Sequence, residues 1–74
     1  MSEEVNIDSV VSVQFNGGLK DFQVVDSNDV DVNHGRISCL SPVGAALLGK
    51  KIGTVFNLTL AGGKVVSIRI LKIQ

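Results

Sequence analysis

Asp29, Asp31 and Asn33 fall at alternate positions and lead into His34 and Gly35. Oxygen-bearing side chains spaced in this way suit a calcium loop. Counted from Asp29, however, the glycine comes one position late, and Leu40 stands where a closing glutamate belongs. A solvated acidic loop therefore explains the run better than a metal site, and no metal or other cofactor is expected. His34 is the single histidine and lies beside a turn glycine, where a surface or capping role is usual. Hydrolytic chemistry needs a base next to an activated nucleophile, and no second histidine or serine motif accompanies it. Cys39 is the single cysteine, which excludes an intrachain disulfide and a multi-cysteine metal site. Flanked by Ile37 and Leu40, it reads as a small core residue.

Ser41 has a better use than nucleophile. It precedes Pro42-Val43-Gly44-Ala45-Ala46-Leu47-Leu48-Gly49. A serine hydroxyl accepts well from an unpaired amide at a helix start, and proline fits the first helical position because its missing N–H has no partner there. Val43, Ala46 and Leu47 share one face, and Gly49 can close the segment in a left-handed conformation. The spacing predicts a helix of about two turns, too short to stand without packing. Lys50 and Lys51 lie at its negative end.

Strands flank this helix on both sides. Val11, Val13 and Phe15 alternate with Ser12 and Gln14, as in a half-buried strand. Asn16-Gly17 is a strong hairpin signal, and Leu19–Val25 returns with Phe22 and Val24 on one face. Asp26–Asp29 is a loop, a short extended piece is expected around Val30 and Val32, and Arg36–Cys39 is a short strand. Thr54–Leu60 and Lys64–Ile73 form a second hairpin about Ala61-Gly62-Gly63. Leu71 and Ile73 break the parity of Val66, Ile68 and Ile70, which calls for a bulge near Ile70 or a strand end covered on both faces. Residues 1–7 read as a flexible leader and 8–74 as a single domain. The class is α+β: an antiparallel sheet of about five strands with one short helix packed on it. A small OB-like or SH3-like barrel is the alternative.

With 74 residues, the chain is 45% hydrophobic and has three phenylalanines, no tyrosine and no tryptophan. The core must be aliphatic, and a prolyl-isomerase pocket, which needs several aromatic rings, has too few to draw on. Sequence-specific nucleic-acid binding is not expected either, because basic residues without stacking aromatics, at zero net charge, make a poor interface. No signal peptide and no membrane span are visible, and a cytoplasmic setting follows. Charge is segregated: residues 1–35 hold all seven acids and Lys20, and residues 36–74 hold Arg36, Lys50, Lys51, Lys64, Arg69 and Lys72. Either the halves interleave and the charges pair across strands, or the domain is dipolar and orients on a charged partner.

Residues 35–54 carry a resemblance. Gly35, Ile37, Ser38, Ser41, Pro42, Ala46, Leu47, Gly49, Lys50 and Gly53 fit the pattern of the C-terminal domain of the GreA and GreB transcript-cleavage factors. The likeness is specific over 35–53 and extends over 10–74 as strand order. It implies an FKBP-like fold and docking at the rim of the RNA polymerase secondary channel, on a coiled coil of the largest subunit. It also implies that the family's N-terminal coiled coil, whose acidic tip serves RNA cleavage, is missing here. Leu40 departs from the acidic or amide residue usual in the family, and Thr54 from the usual aspartate. The function expected is a non-enzymatic protein-binding module using Ser38, Leu40, Ser41, Pro42 and Val43. The other readings are a self-associating module, forming a homodimer through exposed strand edges, and an excised domain of a longer factor.

Overall fold

The computed structural model describes residues 4–74. Five strands form one sheet: β1 (Val10–Phe15), β2 (Gly18–Val25), β3 (Arg36–Ser38), β4 (Val55–Thr59) and β5 (Val65–Ile73). Their order across the sheet is β3-β2-β1-β5-β4. One helix, α1 (Pro42–Leu47), joins β3 to β4. The expected α+β architecture, with five strands and one short helix, is the one observed.

Local chemistry sets most of the elements. Asn16 and Gly17 have φ of 51° and 90°, and Phe15 pairs with Gly18, so the first hairpin closes through a two-residue turn. Positive φ at both positions matches the right-handed twist of the flanking strands. In the β1–β5 ladder Ser12 pairs with Lys72 and Val13 with Ile70, which leaves Leu71 without a partner. This is the bulge that the parity break required. Beyond it the strand resets, so that Ile73, opposite Val11, packs against the core while Leu71 faces solvent.

The core is aliphatic, as composition demanded. Val11, Val13 and Val24 from the first hairpin meet Val66, Ile68 and Ile70 of β5, and Leu47 covers them from the helix. Leu47 is wholly buried; burying such a side chain contributes roughly 1.5–3 kcal/mol, which is how a six-residue helix is held. Phe15 and Phe22 meet edge-on at the core margin, with centroids 5.9 Å apart.

Three expectations change. Val5, assigned by sequence to a flexible leader, is 1% exposed and belongs to the core. Its N–H donates to the Lys50 carbonyl at 2.9 Å, its carbonyl accepts from Gly49 N–H at 2.8 Å, and Glu4 bridges Lys51. The loop leaving α1 supplies partners that no local pattern around Val5 announces. Residues 1–3 of that leader lie outside the described residues. Next, β3 runs parallel to β2, pairing Val24 with Ile37, while all other pairings are antiparallel. Finally, the extended piece near Val32 is two 3-10 turns, Ser27–Asp29 and Val32–His34. Only Asp31 bridges, to Arg36. As for charge, the hairpin β1–β2, whose strands carry only Lys20 and Asp21 as charged residues, sits between β3 and the β5–β4 pair, with Asp21 and Lys72 flanking Ser12 on either side.

Replacing Val5 by alanine removes two buried methyl groups and leaves a void. The expected loss is about 2 kcal/mol, read as a fall of roughly 8–16 °C in Tm. A change within 2 °C, taken as about the noise of such a measurement, would show that the strap adds nothing to stability.

Candidate functional site

Ser38 ends β3 and begins the loop that enters α1. Its carbonyl accepts from Ser41 N–H at 3.0 Å and from the Ser41 hydroxyl at 2.6 Å. Ser41 Oγ in turn accepts from Gly44 N–H at 3.1 Å, the N-cap bond expected of it, with Pro42 at the first helical position. Ser38 Oγ accepts from Leu40 N–H at 3.0 Å and lies 3.2 Å from Ser27 Oγ. Cys39 N–H donates to the Val25 carbonyl at 2.8 Å. The loop thus closes on itself while staying stitched to β2 and to the 3-10 turn at Ser27.

Gly44 completes this closure. A Cβ there would stand 2.0 Å from the Ser38 carbonyl oxygen, well inside any real contact. Only glycine lets the first turn of the helix seat against the end of β3. Sequence reasoning passed over Gly44, although a glycine inside so short a helix lowers helix propensity and so signals a packing reason.

The five residues expected to meet a partner fall into two groups. Ser38 and Ser41 are half-buried, and their hydroxyls serve the loop itself. Val43 is half-buried and packs against the core. Leu40 and Pro42 face outward, Leu40 with 80% of its surface exposed. The loop offers an apolar knob on a hydrogen-bonded frame, not a polar site. Within the loop no nucleophile is paired with a base.

The other candidates are occupied locally. Asp31 Oδ2 accepts from His34 Nδ1 at 2.6 Å on the surface. Main-chain bonds between Asp31 and Arg36 close the loop, with Gly35 left-handed at φ 76°. Among the described residues no three of His, Cys, Asp and Glu converge as a ligand set. Cys39 is half-buried against the core. A shallow groove on the outer sheet face is lined by Ser12, Val13, Leu19, Lys20, Asp21 and Leu71, with no aromatic ring. Phe56, like Phe15 and Phe22, packs against the core, and Lys50 Nζ lies 5.0 Å from its ring centroid. No helix among the described residues is long and apolar enough to cross a membrane.

This geometry has relatives. The chain is 38% identical over 73 residues to transcription elongation factor GreA of Chloroflexus aggregans, covering 96% of this chain and 46% of that protein. It is 39% identical over 64 residues to GreA of Clostridium novyi, covering 82% and 40%. Among solved structures it resembles GreA factor homolog 1 of Thermus thermophilus, with TM-score 0.82 and 32% identity over 97% of this chain and 49% of that one. The GreA/GreB factor of Nitrosomonas europaea gives TM-score 0.77 at 32% identity over 97% and 61%. The chain therefore spans about half or less of the length of these curated relatives. The family described as "Transcription elongation factor, GreA/GreB, C-term" matches residues 1–74. With its capped helix, its bulged five-strand sheet and this match from end to end, the chain belongs to the GreA/GreB transcription elongation factor family and corresponds to its C-terminal domain.

Proposed function

We propose that this chain is a non-enzymatic docking module that binds RNA polymerase, acts in the cytoplasm and does not itself stimulate RNA cleavage. The contact surface is the loop Ser38–Pro42 with the start of α1 at Val43, and the partner element is a coiled coil of the largest subunit. The observation that carries this reading is Leu40, 80% exposed on a loop whose serine hydroxyls bond within the domain. Exposed apolar side chains occur elsewhere on this surface, Leu19 at 79% among them; Leu40 stands apart because it lies on a hydrogen-bonded loop, where a rigid apolar knob loses little entropy on docking. Transcription elongation is the process named for its relatives. The polar residue usual in the family before the Ser-Pro pair is replaced by Leu40, so the complementary spot on the partner is apolar.

Two outcomes are expected with purified bacterial polymerase. The chain binds and is displaced by a full-length Gre factor, and Leu40→Ser weakens binding by roughly 5–30-fold while Tm stays within about 2 °C, as for a surface substitution. Absence of binding, or binding indifferent to Leu40, would sink the assignment. On backtracked elongation complexes the chain alone leaves RNA cleavage at its background rate, and an excess of it lowers cleavage stimulated by a Gre factor. Stimulation above background would contradict the non-enzymatic reading.

Gly44→Ala tests the frame separately from the knob. Forcing a methyl group against the Ser38 carbonyl costs about 1–3 kcal/mol and displaces the loop. Stability and polymerase binding should therefore fall together. An unchanged Tm would show that the helix can shift without penalty.

A further inference from the structure

The two edges of the sheet are treated differently. At one edge, β3 is three residues long and its outer side is occupied: Arg36 N–H donates to the Asp31 carbonyl at 2.9 Å, and Asp31 N–H to the Arg36 carbonyl at 3.0 Å. At the other edge lies β4, Val55-Phe56-Asn57-Leu58-Thr59, paired among the described residues only on its β5 side. It contains no charge, no proline and no bulge, the devices by which exposed edges are normally blunted.

The ladder shows which main-chain groups are open. Ile70 N–H donates to the Thr54 carbonyl and Leu60 N–H to the Lys64 carbonyl. In an antiparallel ladder the bonded positions alternate, so residues 54, 56, 58 and 60 face β5. The N–H and C=O groups of Val55, Asn57 and Thr59 point away from the sheet, and no other described backbone group bonds to them.

We infer that β4 pairs antiparallel with β4 of a second copy, about a two-fold axis at Asn57. In that register Asn57 faces its own counterpart, Val55 faces the second copy's Thr59, and Phe56 faces its Leu58. All the outward main-chain groups then meet partners at once, which a shift by one residue would prevent. The side chains agree as well. Phe56 and Leu58 are half-buried on the core side and extend each other's apolar cover, while Val55, Asn57 and Thr59 remain on the exposed side. An isologous contact of this kind is closed, giving a dimer with one ten-stranded sheet and not a fibre. Five residues a side bury less than about 1,200 Å², the range of transient complexes, so the association is weak, with Kd of roughly 0.1–1 mM. Since β4 and β3 lie at opposite ends of the strand order, the dimer leaves Ser38–Pro42 open. The inference does not depend on polymerase docking.

Position 57 provides a selective test. Asn57→Lys places two ammonium groups face to face across the axis, and Asn57→Asp two carboxylates; each weakens self-association about fivefold or more. An equimolar mixture of the two variants restores it, because unlike charges then face each other. Sedimentation equilibrium up to about 1 mM, near the Kd argued above, reads the association. Amide NMR shifts of the unsubstituted chain over the same series read its location, and they decide the matter even if a variant fails to fold. Concentration-dependent shifts centred on Val55, Asn57 and Thr59, with rescue in the mixture, are expected. A monomer throughout, association indifferent to charge at position 57, or shifts centred on Ser38–Val43 would each overturn the inference.

Discussion

The carbonyl of Ser38 is the point on which the rest of this domain turns. It ends a strand, accepts from both the amide and the hydroxyl of Ser41, and lies so close to α1 that only a glycine fits opposite it. Because β3 is stopped there, the chain must leave the sheet. Because Ser41 is oriented there, the helix starts with its cap bond made. The direction of α1, and with it the placement of Leu47 over the core, follows from this one junction. A short helix has little intrinsic stability, so its position depends on what surrounds it.

The same junction separates two kinds of residue that sit side by side in sequence. Ser38, Ser41 and Gly44 build the loop, and the two hydroxyls bond within the domain. Leu40 and Pro42 are what the loop displays. An apolar pair displayed in this way is held in place without being buried. At the far side of the sheet β4 has the opposite character: its side chains are ordinary, and its open capacity lies in the main chain. The domain thus presents side-chain chemistry at one end of the sheet and backbone chemistry at the other.

Much of this was legible beforehand wherever the cause was local. The Asn16-Gly17 turn, the Ser41-Pro42 helix start, the left-handed Gly49 and the parity break at Leu71 each depend on a few neighbouring residues, and all appear as read. The loop residues Ser38–Val43 were legible as a group. Which of them face solvent was not, because the hydroxyl partners lie on Ser27, on the Ser38 backbone and inside the helix. Val5 was missed for a related reason. Val5 and Ile7 alternate with Glu4, Asn6 and Asp8, but only Val5 is buried, and its burial comes from the loop after α1, more than forty positions along the chain.

By itself, then, the sequence determined the elements: where strands alternate, where turns need positive φ, where a helix is capped, and that the core is aliphatic. Tertiary structure alone decided that β3 joins β2 in parallel, that Val5 is drawn into the core, that Gly44 is demanded by a carbonyl six residues earlier, and that among the described residues one sheet edge is covered while the other has no partner. Turn and cap energies act over three or four residues and leave a mark in the local pattern. Strand partners are set by segments far apart in the chain and leave no local pattern, and close packing leaves at most a hint such as the glycine in so short a helix.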